Sequence, residues 1–175
     1  LLFVRRNCKF IILAVARQPE TEAKRTMQQL NLPEYAFRIK TEDGKTMIFD
    51  AIRRKFVALT PEEWVRQNFI EYLKTEKNYP ASLMAVEKQI TINRMQRRFD
   101  LLVYSRTHQP CLIAEFKAPD VKITQDVFDQ VVRYNMALKV AGIIVSNGLQ
   151  HFACKMDYAN NTYSYLREIP GYGEL

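Results

Sequence analysis

Apolar and polar positions change rhythm several times along the chain, and each rhythm predicts an element. Over residues 36–50 (AFRIKTEDGKTMIFD) the period is two on either side of Glu42-Asp43-Gly44. Asp-Gly supports a tight turn, so this stretch predicts a β-hairpin. Residues 51–59 (AIRRKFVAL) are expected to lead into the first helix. That helix opens at Thr60-Pro61-Glu62-Glu63. Threonine suits the N-cap, proline the first helical position, and Glu63 the reciprocal position of a capping box. Trp64, Val65, Asn68, Phe69, Tyr72 and Leu73 then recur at helical spacing, and the helix should end near Lys77.

Residues 83–92 (LMAVEKQITI) predict a strand, with a turn at Asn93-Arg94. Residues 97–104 and 111–118 predict two more, joined by the polar turn SRTHQP, so the three form an antiparallel meander. Thr124 is expected to cap a second helix, QDVFDQVVRYNMALKV, with Val127, Val131, Tyr134 and Leu138 on one face. The run GIIVSNG reads as a fully buried strand, and HFACKMD as another. NNTYSYLREIP closes the sheet or caps an edge. Strand, helix, buried strand in this order predicts a right-handed crossover with parallel pairing. The expected class is α/β: a mixed sheet with a helix on each side. Three divisions follow: residues 1–26 as an extension, 27–59 as an N-terminal hairpin region, and 60–175 as the core.

Charge narrows the picture less than the net +7 suggests. Residues 1–26 carry six basic side chains against two acidic ones, a balance of +4, leaving +3 for the rest. The remainder is only mildly basic, so local clusters say more than the total. Arg53-Arg54-Lys55 is one, and Arg94 with Arg97-Arg98 another; each is either a phosphate hold or a solvated strand end. The first segment has a basic start and a short apolar run, which imitates a secretory signal peptide. The expectation favoured here is an extension ahead of a natural start at Met27. Cys8, Cys111 and Cys154 have no zinc-like spacing, which fits a reduced, cytoplasmic protein. No apolar run is long enough to span a membrane.

Three charged residues interrupt the apolar runs of residues 97–119: Asp100, Glu115 and Lys117. If Tyr104 faces Cys111 across the turn, Asp100 lies opposite Glu115, with Cβ atoms about 4.5–5.5 Å apart. Lys117, two residues on, shares that face. Carboxylates held so close repel unless a cation sits between them. The geometry therefore suggests a divalent metal site with a lysine beside it; the competing reading is a pair of surface ion pairs on an edge. His108 and His151 show no catalytic arrangement, and no serine or cysteine nucleophile competes.

FDLLVY followed by LIAEFKAP resembles the core of the PD-(D/E)XK nucleases, and Gln130-Val131-Val132-Arg133-Tyr134 matches the QxxxY motif of their RecB-like members. Together with TPEEWVRQNFIEYL, VEKQI and FDQVVRYNMALKV, these runs resemble the N-terminal nuclease domain of type I restriction enzyme R subunits. The resemblance covers residue 60 to the C-terminus. Phe99 stands where proline often precedes the first aspartate. No GxxxxGK[ST] loop occurs, so the chain reads as a stand-alone relative or a fragment.

The resemblance implies a restriction-endonuclease-like fold and Mg²⁺-dependent cleavage of DNA, with Mn²⁺ as a substitute. Asp100, Glu115 and the Phe116 backbone carbonyl would hold the metal. Lys117 would orient the attacking water or stabilise developing charge. Gln130 and Tyr134, one helical turn apart, would steady Lys117 or the phosphate backbone. Glu63 and Glu87 are candidates to stand behind these residues, and Arg97 and Arg98 to grip DNA phosphates. Implied partners are DNA and, on other chains, helicase, modification and specificity subunits, with no membrane. Two alternatives stay open: a non-catalytic DNA-binding or assembly module of nuclease fold, and a Holliday-junction resolvase.

Overall fold

A computed structural model describes residues 27–92 and 95–175. The expected N-terminal extension at 1–26 and the turn at Asn93-Arg94 lie outside the described residues, as do the side chains of Arg97 and Tyr134. Among the described residues, two sheets and two helices organise the fold. The N-terminal sheet has order β1-β2-β3: β1 (Ile39–Glu42), β2 (Lys45–Asp50) and β3 (Lys55–Ala58), all antiparallel. The hairpin turn falls at Asp43 and Gly44 as expected, with φ of 50° and 71°. Paired positive φ values match the twist of the flanking strands. Residues 51–59 do not lead straight into the helix. They turn and return as β3, because Lys55–Ala58 pairs with Met47–Asp50.

Helix α1 (Pro61–Thr75) begins at the expected cap: the Thr60 hydroxyl accepts from the Glu63 N–H at 3.1 Å. It is followed by a 3₁₀ turn (Ala81–Leu83) and the main sheet. That sheet runs β4 (Met84–Ile92), β5 (Met95–Tyr104), β6 (Pro110–Phe116), β7 (Gly142–Ser146), β8 (His151–Asp157), β9 (Thr162–Tyr165), with neighbours in chain order. Only β6 and β7 pair in parallel, and α2 (Gln125–Leu138) lies between them in the chain. The expected α/β architecture and parallel pairing are present. Thr124 occupies the N-cap position of α2, but its side chain makes no capping bond, contrary to expectation.

Strand alternation sorts the core into two layers. On one face Leu101, Val103, Leu112, Ala114, Phe116 and Ile144 pack with Val65, Phe69, Ile70 and Leu73 of α1. On the other, Leu102, Ile113, Ile143 and Val145 pack with Phe128 and Val131 of α2. The central strands β6 and β7 are covered on both faces, which is why LIA and GIIV read as unbroken apolar runs. Burying each such side chain contributes roughly 1.5–3 kcal/mol relative to leaving it exposed. The inward face of α2 centres on Phe128, Val131 and Asn135, with Val127 and Leu138 only partly buried. Asn135 is buried because it closes the helix end: it bonds Val140 N at 3.1 Å and the Tyr158 hydroxyl at 2.8 Å.

Candidate functional site

Asp100 lies where the meander passes over α1. The ladder pairs Leu101 with Ala114, and one further residue in that register sets Asp100 beside Glu115. The expected juxtaposition is therefore present, although its premise needs correcting. Tyr104 pairs with Pro110, not Cys111, and a bulge between Val103 and Tyr104 restores the register. On the opposite side of β5, the pairs Val86–Leu101 and Lys88–Phe99 bracket Glu87 and Asp100. Glu87, Asp100 and Glu115 thus form a row across three strands. Glu87 has φ of 51°, a left-handed irregularity in the strand at this point.

The two carboxyl groups of the pair differ in their surroundings. Asp100 is 8% exposed, and both its oxygens have partners. Arg66 Nη2 donates to Oδ1 at 2.8 Å, and the Phe116 backbone N–H donates to Oδ2 at 2.8 Å. Among the described residues, no arginine pairs with Glu115. Burial first, then the Asp100 charge and a hydrogen bond to Asp100, push its carboxyl up to about 8, against a weaker opposing pull from Lys117. Lys117 follows the end of β6, and its N–H donates to Ser146 O at 2.9 Å. Its ammonium acts electrostatically on both Glu115 and Glu62. Asn147 Nδ2 donates to Val121 O at 2.8 Å, tying the loop after Lys117 to the end of β7.

Around this centre lies an ionic network that the periodicity gave no sign of. Arg66 touches Glu63, Glu62 (3.2 Å), Glu87 (3.7 Å) and Asp100. Arg53, from the β2–β3 turn, touches Asp50 (2.5 Å), Glu63 (2.7 Å) and Glu87 (2.5 Å). Gln67 donates to Asp50 at 2.9 Å and to Glu63 at 2.8 Å. Burial works against the charge of Arg66, but Asp100, then Glu63, more than offsets it and raises its pKa. For Glu62, burial and then Asp100 raise the pKa.

Several expectations change in consequence. The Glu63 carboxylate does not reach back to cap the helix; it is 6% exposed and bridges Arg53 and Arg66. Glu87 also belongs to the network, paired with Arg53 and Arg66. Arg53 is absorbed by carboxylates, with its side chain 13% exposed, so it is not a phosphate hold. Arg98 is exposed at the rim, 3.9 Å from Glu87. Gln130 lies at an exposed position of α2. Spacing could have singled out Arg66 and Gln67, which sit one turn beyond Glu62 and Glu63. Nothing local in the sequence points to Asp50 or Arg53.

The donor set is all oxygen. Two carboxyl groups and a neighbouring backbone carbonyl suit Mg²⁺, which uses one or two carboxylates and keeps several waters. Among the described residues, no group of three His, Cys, Asp or Glu side chains converges as a ready metal cage. Nor, among them, is any helix long and apolar enough to cross a membrane.

Comparison with known proteins agrees with this architecture. No curated protein matches the chain. A fragment structure assigned to the HsdR subunit of a type I restriction enzyme from Vibrio vulnificus YJ016 superposes with a TM-score of 0.50 at 21% identity. The match covers 67% of this chain and 24% of that one, so the chain spans about a quarter of that fragment's length. The model of the type I restriction enzyme R protein N terminus (HSDR_N) matches residues 61–170, from the first residue of α1 to beyond the end of β9. The chain belongs to that family and carries the N-terminal domain of a type I restriction R subunit.

Proposed function

We propose that this domain hydrolyses phosphodiester bonds of DNA with a divalent metal, Mg²⁺ or Mn²⁺, as a PD-(D/E)XK nuclease. The observation that carries the reading is the Asp100–Glu115 pair beside Lys117, with the Glu115 carboxyl pushed up to about 8. Burial raises it first and the Asp100 charge second, so a cation beside the pair would favour the ionised form. The whole cluster supports this. Asp50, Glu62, Glu63, Glu87, Asp100 and Glu115 are six carboxyl groups. Among the described side chains, Arg53, Arg66, Lys117 and the rim residue Arg98 are the four cations. A divalent ion would remove the deficit.

Asp100 and Glu115, with the Phe116 carbonyl, would hold that ion. When bound, it would supply Lewis acidity and a water acidified for attack. The protein's own contributions are more specific. Arg66 and the Phe116 N–H fix the plane of the Asp100 carboxylate, so the pair is oriented in advance. The Lys117 ammonium acts electrostatically on Glu115 and Glu62, and it would stabilise charge on the phosphate being cleaved. Arg98, and Arg97 beside it in the chain, would bind backbone phosphates, while Gln130 and Tyr134 of α2 would steady the substrate strand or Lys117. DNA is the proposed substrate; the motor, modification and specificity subunits of a type I system are the proposed partners.

The test is incubation of the chain with duplex and branched DNA in Mg²⁺, beside an Asp100→Ala variant. Metal-dependent cleavage lost in the variant is expected. A chain that cuts neither DNA and takes up neither Mg²⁺ nor Mn²⁺ would rule the reading out.

A further inference from the structure

Arg66 is 3% exposed, and its guanidinium stands where carboxylates from three elements converge. Nη2 contacts Asp100 Oδ1 at 2.8 Å and Glu62 Oε1 at 3.2 Å; Nη1 contacts Glu63 Oε2 and lies 3.7 Å from Glu87 Oε1. Four carboxylates gather at this point, two at each terminal nitrogen of the guanidinium, and so much negative charge calls for a cation. Here the point is filled by a side chain whose charge is permanent, since arginine does not deprotonate in proteins. The Nε of Arg66 is buried and has no hydrogen-bond partner among the described residues. The guanidinium is thus placed by the carboxylates rather than by full use of its own donors.

Two-metal phosphodiesterases hold their ions about 3.5–4 Å apart, close enough for one carboxylate to serve both. Asp100 is the residue that could be shared, because it lies between Glu115 on β6 and the α1 acids. Its α1-facing oxygen, Oδ1, is taken by Arg66. We infer that Arg66 is a resident cation in the place of a second divalent ion, so that the site takes one ion only, on the Glu115 side. Arg53 supports this arrangement from behind, holding Glu63 and Glu87 in position through bonds of 2.7 and 2.5 Å. The inference rests on the divalent-ion site proposed above and specifies its stoichiometry.

Titration of the chain with Mn²⁺ alone, followed by calorimetry and by electron paramagnetic resonance, tests it. The wild type is expected to bind one Mn²⁺ per chain with the spectrum of an isolated ion. Arg66→Ala, checked for native circular dichroism, is expected to bind two, with spin coupling between them. Two coupled ions in the wild type would overturn the inference and leave the nuclease reading standing. No ion in the wild type would overturn both. A folded variant that still takes one ion would also overturn the assignment. Should the variant not fold, the wild-type stoichiometry decides alone.

Discussion

Binding of the metal should expel nearly one proton near neutral pH, and the proton should come from Glu115. Its carboxyl is held up to about 8 by burial and by Asp100. At pH 7 about nine in ten Glu115 side chains then carry a proton, and an ion binding the carboxylate must displace it, releasing about 0.9 proton per ion. At pH 9 the same acid is mostly ionised beforehand, so release should fall to about 0.1. Calorimetric titration with Mn²⁺ in buffers of different ionisation enthalpy reads this number directly as a slope. Glu115→Gln has no acidic proton to give, and its slope should be near zero, at weakened affinity. A wild-type slope below about 0.3 at pH 7 would refute the reasoning, as would a slope that does not fall towards pH 9. The metal-free protein should show the same linkage in its stability. Its folded state holds a proton that the unfolded chain, with an ordinary value of 4.5, releases. Stability from this group is therefore greatest at low pH and declines as pH rises from about 4.5 through about 8. Thermal melts between pH 5 and 8, with and without Mn²⁺, follow it, and the ion should remove most of the decline.

Removing Arg53 should destabilise the fold more than an ordinary surface change. Arg53→Ala leaves Asp50 buried with no cation beside it and Glu63 with Arg66 alone, a loss of about 3–5 kcal/mol that urea unfolding would measure; a loss under about 1 kcal/mol would show that Gln67 and Arg66 suffice. Gly148 has φ of +81°, and a Cβ there would lie 2.6 Å from Leu30 Cδ2 and 3.1 Å from Val65 Cγ2. Gly148→Ala should therefore lower stability by about 1–2 kcal/mol, read as a lower melting temperature, with Mn²⁺ affinity unchanged.

The parts of the fold that were legible in the sequence are those governed by short-range rules. The Asp43-Gly44 turn, the Thr60 cap, the buried GIIV strand and the parallel crossover each follow from turn chemistry, capping or burial on both faces. The Asp100–Glu115 juxtaposition was legible too, because strand pairing propagates register over many residues. It survived a wrong turn assignment since the bulge beside Tyr104 compensates within one residue. What was illegible depends on distant partners. Glu63 satisfies a local capping pattern perfectly well; only Arg53, ten residues upstream, and Arg66 pull its carboxylate away from that role. Residues 51–59 become a strand because β2 offers them a free edge, not because of their own pattern. Arg53-Arg54-Lys55 reads as either a phosphate hold or a solvated strand end, because charge runs usually face solvent. Asp50, Glu63 and Glu87 reverse that for Arg53 alone.

The central claim, that this domain cuts DNA with the Asp100–Glu115–Lys117 set, is tested most directly by single-turnover cleavage with Lys117→Ala. The account predicts that the variant binds Mn²⁺ and DNA within about threefold of wild type yet cleaves at least about 100-fold more slowly, the scale of losing one charge-stabilising group. Equal cleavage by the two proteins, or none by the wild type in Mg²⁺ or Mn²⁺, would contradict it.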